Sequence, residues 1–135
     1  MTQEDKDLLL KDLCARLPYK VKVQDTYYKS LEPAPIWLLD LDAQSVRLFA
    51  DEGYQSIEYI KPYLFPLSSM TDEQKEELNE IFDLDVEIAI THIKNGIPNL
   101  LTGLNRLNWF IKNHFDIYGL IPMGLAIDAT NLNIY

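Results

Sequence analysis

The stretch Leu10-Lys11-Asp12-Leu13-Cys14-Ala15-Arg16-Leu17-Pro18-Tyr19-Lys20-Val21-Lys22-Val23-Gln24 carries two hydrophobic periods, one on each side of a proline. Before Pro18, the residues Leu10, Leu13, Cys14 and Leu17 recur at i, i+3, i+4 and i+7, which is one stripe of a helix. After it, Val21 and Val23 alternate with Lys20, Lys22 and Gln24, the spacing of a half-buried strand. The proline divides the two because the residue before a proline disfavours helical geometry. A helix that hands over to strands predicts an α+β fold.

Working outward, the first helix is expected over Thr2–Arg16. Thr2 can cap its free N–H groups, and Glu4, Asp5 and Asp7 suit the positive end of its dipole. On the C-terminal side, residues 30–35 read as a proline-closed loop. Ile36–Leu41 is apolar on both faces for most of its length and is expected to be a central strand, with Trp37 in the core. Asp42-Ala43-Gln44 turns the chain, and Ser45–Ala50 returns it through Val46 and Phe49. Asp51-Glu52-Gly53 is a second turn, after which Ile57 and Tyr59 mark a short strand ended by Pro62. These segments predict an antiparallel β-meander of three to four strands, packed with about three helices.

Thr71-Asp72-Glu73-Gln74 is a capping box and opens a second helix over Asp72–Phe82, with Leu78, Ile81 and Phe82 facing inward. Leu84–Ile93 fits a further strand by alternation, and also a continuing helix; the strand is preferred. A last helix is expected from roughly Leu100 to His114, its inner side marked by Leu104, Leu107 and Ile111. His114 would then be a helix C-terminal group favouring the negative dipole end. Gly119, Pro122 and Gly124 punctuate an apolar tail that packs back on the domain.

At 135 residues the chain is expected to be a single domain, residues 1–135, burying roughly two-thirds of its unfolded surface. Apolar residues make up 47% and aromatic ones 11%, enough for a hydrophobic core and outside the disordered range. The single cysteine, Cys14, excludes an intramolecular disulfide and reads as a small apolar residue on the inner helix face. An acidic helical start without a basic-then-apolar leader, and no run near 18 apolar residues, predict a cytoplasmic protein without a membrane span.

The net charge of −9 argues against direct binding to nucleic acid. The charge concentrates in Asp72, Glu73, Glu76, Glu77, Glu80, Asp83, Asp85 and Glu87, opposed within that run by Lys75 alone. First this is a solvated surface, and second a candidate acidic interaction face. No metal or cofactor is expected: Cys14, His92 and His114 include no pair at ligand spacing, and no phosphate-cradling glycine loop exists. No nucleophile elbow or assignable base accompanies Ser68-Ser69, so no catalytic residue is proposed. The eight tyrosines and two tryptophans are read mainly as half-buried strand residues; aromatic residues are also enriched at interfaces.

Two stretches resemble a family of short proteins encoded in prophages and mobile elements of gut anaerobic bacteria. They are Lys61-Pro62-Tyr63-Leu64 with Pro66-Leu67-Ser68-Ser69-Met70-Thr71, and Asn113-His114-Phe115-Asp116 with Gly119-Leu120-Ile121-Pro122-Met123-Gly124-Leu125-Ala126. Leu17-Pro18-Tyr19 after an acidic helix fits as well. The likeness covers about a third of the chain, and departs where the family carries a basic residue at Phe65 and a glycine at Lys20. It implies a bacterial or phage setting and no activity, cofactor or catalytic residue. The expected function is a non-catalytic protein–protein interaction or accessory factor. The alternative is a DNA mimic, whose 72–87 carboxylates occupy a nucleic-acid-binding protein.

Overall fold

The computed structural model describes residues 1–28, 32–49, 53–82 and 104–135. Three helices are found there: α1 (Gln3–Arg16), α2 (Asp72–Phe82) and α3 (Leu104–Lys112). The strands are β1 (Lys22–Asp25), β2 (Ala34–Pro35), β3 (Leu38–Asp40), β4 (Ser45–Arg47), β5 (Gln55–Ser56), β6 (Ile60–Leu64) and β7 (Ile127–Asp128). They form a four-stranded sheet in the order β2-β1-β6-β7 and a three-stranded sheet in the order β3-β4-β5. The fold is therefore α+β, and β3-β4-β5 is an antiparallel meander. The strand after Pro18 lies in the other sheet, where β7 runs parallel to β6.

Both helix starts follow from short-range chemistry. Thr2 Oγ1 accepts from the Asp5 N–H at 3.1 Å, and the Asp5 carboxylate accepts from the Thr2 N–H at 3.2 Å. Thr71 and Gln74 close the same reciprocal pair at 3.1 and 2.9 Å. Each box satisfies donors that the first helical turn leaves without carbonyls.

Elsewhere tertiary packing overrides the local reading. The segment expected as a central strand is β3, at the edge of its sheet, with Trp37 51% and Leu41 57% exposed. An apolar run fits a buried strand and an uncovered edge equally well, and only the neighbours decide. Ala34 and Pro35, expected in a loop, pair with β1 as an edge strand, where a proline needs no ladder donor. Ile57–Tyr59 forms a 3₁₀ turn instead of a strand, and the strand proper is β6, which runs through Pro62. The Thr26 N–H donates to the Tyr59 carbonyl at 2.7 Å. Since antiparallel pairs alternate, Val23–Pro62 falls on a non-hydrogen-bonded pair, and β7 begins only opposite Tyr63. The N–H that proline lacks thus falls outside both ladders. Helix α3 ends at Lys112, ahead of the expected His114, which takes φ 63° and reverses the chain. Leu84–Ile93, the Asp51-Glu52 turn and residues 100–103 lie outside the described residues.

Two apolar clusters fill the interior. One joins Leu9 and Leu13 of α1 to Val23, Val46, Ile60, Leu64 and Leu120. The other gathers Leu78, Trp109, Phe110 and Phe115, with Met70 and Ile117. Tyr118 packs against both.

Between them sits a buried polar cluster. Arg16 is fully buried; its Nε donates to the Asp12 carboxylate at 2.8 Å and an Nη donates to the Phe115 carbonyl. Asp116 accepts from the Leu120 and Ile121 N–H groups at 2.8 and 2.9 Å, which holds the turn leading into the tail. The edge of β6 that faces β1 is completed by pieces from three places. Thr26 bonds Tyr59, the Tyr135 hydroxyl accepts from Lys22 N–H at 3.0 Å and donates to the Tyr63 carbonyl at 2.8 Å, and His114 and Asp116 bracket Phe65 at 2.8 Å each. Residues 59, 63 and 65 share that edge because a strand's backbone groups alternate sides.

Asp12→Ala leaves Arg16 buried without its counter-charge and is expected to lower unfolding free energy by about 3–5 kcal/mol in urea denaturation. Lys20 holds φ 56° at the end of the Leu17–Tyr19 turn, a left-handed conformation that glycine adopts without strain. Lys20→Gly is expected to raise stability by roughly 0.5–1 kcal/mol in the same assay.

Candidate functional site

The acidic residues of α2 divide by position. Asp72, Glu73, Glu76, Glu77 and Glu80 are exposed, while Leu78 on the opposite side is fully buried. Glu77 also accepts from the Trp109 indole N–H at 3.2 Å, so one carboxylate of the run fastens α2 to α3. Asp72 and Glu73 lie in the first turn, where negative charge is favourable to the helix itself. Asp83, Asp85 and Glu87 lie outside the described residues.

The buried polar cluster is the densest group of titratable side chains among the described residues, and its geometry is that of a joint. Burial pushes the Asp12 carboxyl above its usual value, against the pull of the neighbouring Arg16. Tyr135 is pushed up to about 12, chiefly by burial, and its hydroxyl is occupied on both sides by backbone. His114 stacks on the Tyr135 ring at 3.7 Å with 8° between planes, and burial together with Arg16 lowers its pKa to about 4. The imidazole is consequently neutral near pH 7, so it adds no positive charge at the C-terminal end of α3. Burial also raises the pKa of Cys14, keeping its thiol protonated and a poor nucleophile. Among the described residues no three His, Cys, Asp or Glu side chains are grouped as metal ligands would be. No described helix is long and apolar enough to cross a membrane.

The open feature lies at the opposite end of the sheets, where β1 runs out beside β4 and β5. A cleft of about 660 Å³ is bounded there by Asp25, Tyr27, Tyr28, Val46, Tyr54 and Gln55, with Leu48 and Gly53. Its floor carries Asp25, whose Oδ1 accepts from the N–H groups of Tyr27 and Tyr28 at 2.9 and 3.4 Å. That side chain–backbone turn ends β1 and throws both tyrosines outward. Tyr27 meets Tyr28 edge-on at 4.9 Å and Tyr59 at 5.2 Å, which braces the rings without covering them. Val46 lines the cleft because it pairs with Gln55 across β4 and β5.

Around the corner, Arg47 lies over the Tyr54 ring at 4.6 Å and the Trp37 ring at 5.7 Å. Trp37, Tyr54, Tyr27 and Tyr28 are therefore continuous through Arg47 and the cleft wall, and each is about half exposed. Phe49 is exposed as well. The sequence predicts Trp37 in the core and the tyrosines mainly as half-buried strand residues, and gives no role to Asp25. An Asp directly followed by Thr-Tyr-Tyr at a strand end was the available signal, since aspartate there closes a turn and aims the next residues out.

A scan against protein-family models, a search of curated proteins and a search of solved structures each found no match to this chain.

The His114 environment sets an acid limit on stability. The folded state binds this proton less readily, near pH 4, than the ordinary histidine value of 6.5. Stability is therefore complete above about 6.5, falls as pH drops through that window, and bears the full penalty below about 4. Allowing for the ring's partial exposure, Tm is expected to drop by roughly 3–5 °C between those limits. His114→Asn, which keeps a residue tolerant of positive φ, is expected to flatten that part of the Tm–pH curve in scanning calorimetry.

Proposed function

We propose that this chain is a non-catalytic interaction protein that binds a protein partner through the aromatic surface running from Trp37 over Tyr54 to Tyr27 and Tyr28. The observation that carries this reading is the continuity of half-exposed rings on one face, held in place by Arg47 and by the Asp25 turn. Exposed rings scattered singly need no partner, whereas a contiguous patch is the usual mark of an interface. Tyr and Trp are also the residues on which interface energy concentrates, since each gives large contact area and loses little rotamer freedom. The setting that accompanies the proposal is an accessory factor of a phage or mobile element acting in the cytoplasm, and it rests on the motif resemblance.

The acidic face of α2 supports a second reading, a mimic of a nucleic-acid backbone, through the exposed Asp72, Glu73, Glu76 and Glu80. The two readings make opposite demands on salt and on mutation. Partner capture is to be compared for the wild-type chain, Trp37→Ala with Tyr54→Ala, and the charge reversal Glu73→Lys with Glu76→Lys and Glu80→Lys. Glu77 is left alone because it holds Trp109. The aromatic face predicts a partner retained at high salt and by the charge reversal, and bound at least about tenfold more weakly by the aromatic double variant. Loss with salt and with the charge reversal, and retention by the aromatic variant, overturns the proposal in favour of the acidic face.

A further inference from the structure

We infer that the cleft at the end of β1 receives a cationic side chain, lysine or arginine, projecting from the polypeptide partner, with Asp25 as counter-charge and the tyrosine rings as walls. The inference rests on the reading of the aromatic face and names the chemistry that the carboxylate in its cleft selects.

Among the described residues Asp25 is the charged one lining the cleft, and it is 4% exposed. Of its oxygens, Oδ1 is engaged by the two backbone N–H groups, while Oδ2 receives the Gln55 amide at 3.4 Å, a long and weak contact. A carboxylate oxygen has acceptor sites to spare beyond one such contact. The ion pairs found among the described residues join Lys6 to Glu58 and Arg16 to Asp12, and neither involves Asp25. Among the described residues no base pairs with this carboxylate, and a cation would add the counter-charge that usually offsets desolvation.

The walls favour the same ligand. A ring face attracts a cation, and Arg47 already lies 4.6 Å over Tyr54 on the neighbouring surface. A cleft of about 660 Å³ is within the range of sites that enclose most of a small ligand, so an alkyl stem and its charged head both fit. The stem meets the rings of Tyr27, Tyr28 and Tyr54, and the head meets Asp25. An anionic ligand would face a carboxylate with no base opposite it among the described lining residues. The chain's net charge of −9 also draws basic segments toward the surface and raises their encounter rate.

The test uses the full ¹⁵N-labelled chain titrated with n-butylammonium chloride, with 1-butanol as the neutral probe of similar shape. The expected result is a saturable shift of the Tyr27, Tyr28 and Gln55 amide signals with the ammonium ion and not with the alcohol. Asp25→Asn keeps an oxygen for the turn while removing the charge, and is expected to weaken binding at least about tenfold. Tyr28→Leu, at an exposed position, removes one wall with the fold intact and is expected to weaken it about threefold. Equal response to both probes, no saturable response, or unchanged affinity in both variants overturns the inference. Failure here removes the cation from the cleft, while failure of the Trp37 and Tyr54 capture experiment removes the face, so the two are told apart.

Discussion

The guanidinium of Arg16 is fully buried, and it joins the first helix to a segment far away in sequence. Its Nε is held by Asp12 one turn back on α1, and an Nη reaches the Phe115 carbonyl, 99 residues on. A charge in that position is costly unless it is paired and hydrogen-bonded, so the surrounding geometry is tightly constrained. Helix α1 must present Asp12 and Arg16 on the same inner face as Leu9 and Leu13, which the helical repeat allows. The chain after α3 must in turn bring Phe115 to the guanidinium, which requires the sharp reversal at His114. The two apolar clusters meet at this joint, and Tyr118, packed against both, continues the contact.

From this joint the edge of β6 is assembled. Ahead of the start of β1 the edge of β6 would be left open, and a phenol hydroxyl and the 114–116 segment take the vacant ladder positions. Lys22 adds a second tie by donating its ammonium to the Ile134 carbonyl at 2.8 Å. The tail is thus part of the sheet's hydrogen bonding, and β7 covers the other edge in parallel. Burial and neighbouring charge move the pKa values of Asp12, His114 and Tyr135, and these groups bond or stack between chain segments. Perturbed protonation often marks a functional site, but here it marks a structural one.

The opposite end of the molecule is built by a different rule. The Asp25 turn stops β1 and directs Tyr27 and Tyr28 out, while β3 and β4 place Trp37, Arg47 and Tyr54 side by side on an uncovered surface. The groups at the Arg16 joint are withdrawn from solvent, whereas at the cleft Asp25, held by the Tyr27, Tyr28 and Gln55 donors, lies beside rings that stand half exposed. A partner can reach the cleft and its rings, and cannot reach the fully buried Arg16.

What the sequence by itself determined is local. The capping boxes at Thr2 and Thr71, the helical stripe ending at Pro18, the alternation at Val21 and Val23 and the α+β class all depend on residues within a few positions of each other, whose geometry the backbone dictates. The tertiary structure alone decided which strands share a sheet, that Trp37 lies on an edge and Trp109 in the core, and that Asp12 and Arg16 point inward. An Asp–Arg pair at i, i+4 looks the same in sequence on a solvated face as in a core, and an apolar run looks the same at an edge as at the centre. Burial is a property of what packs on a residue, and Phe115, Tyr135 and Gln55 reach their partners across 30 residues or more. The cleft was illegible for the same reason, because its walls come from β1, β4 and β5, which adjoin only after both sheets have formed.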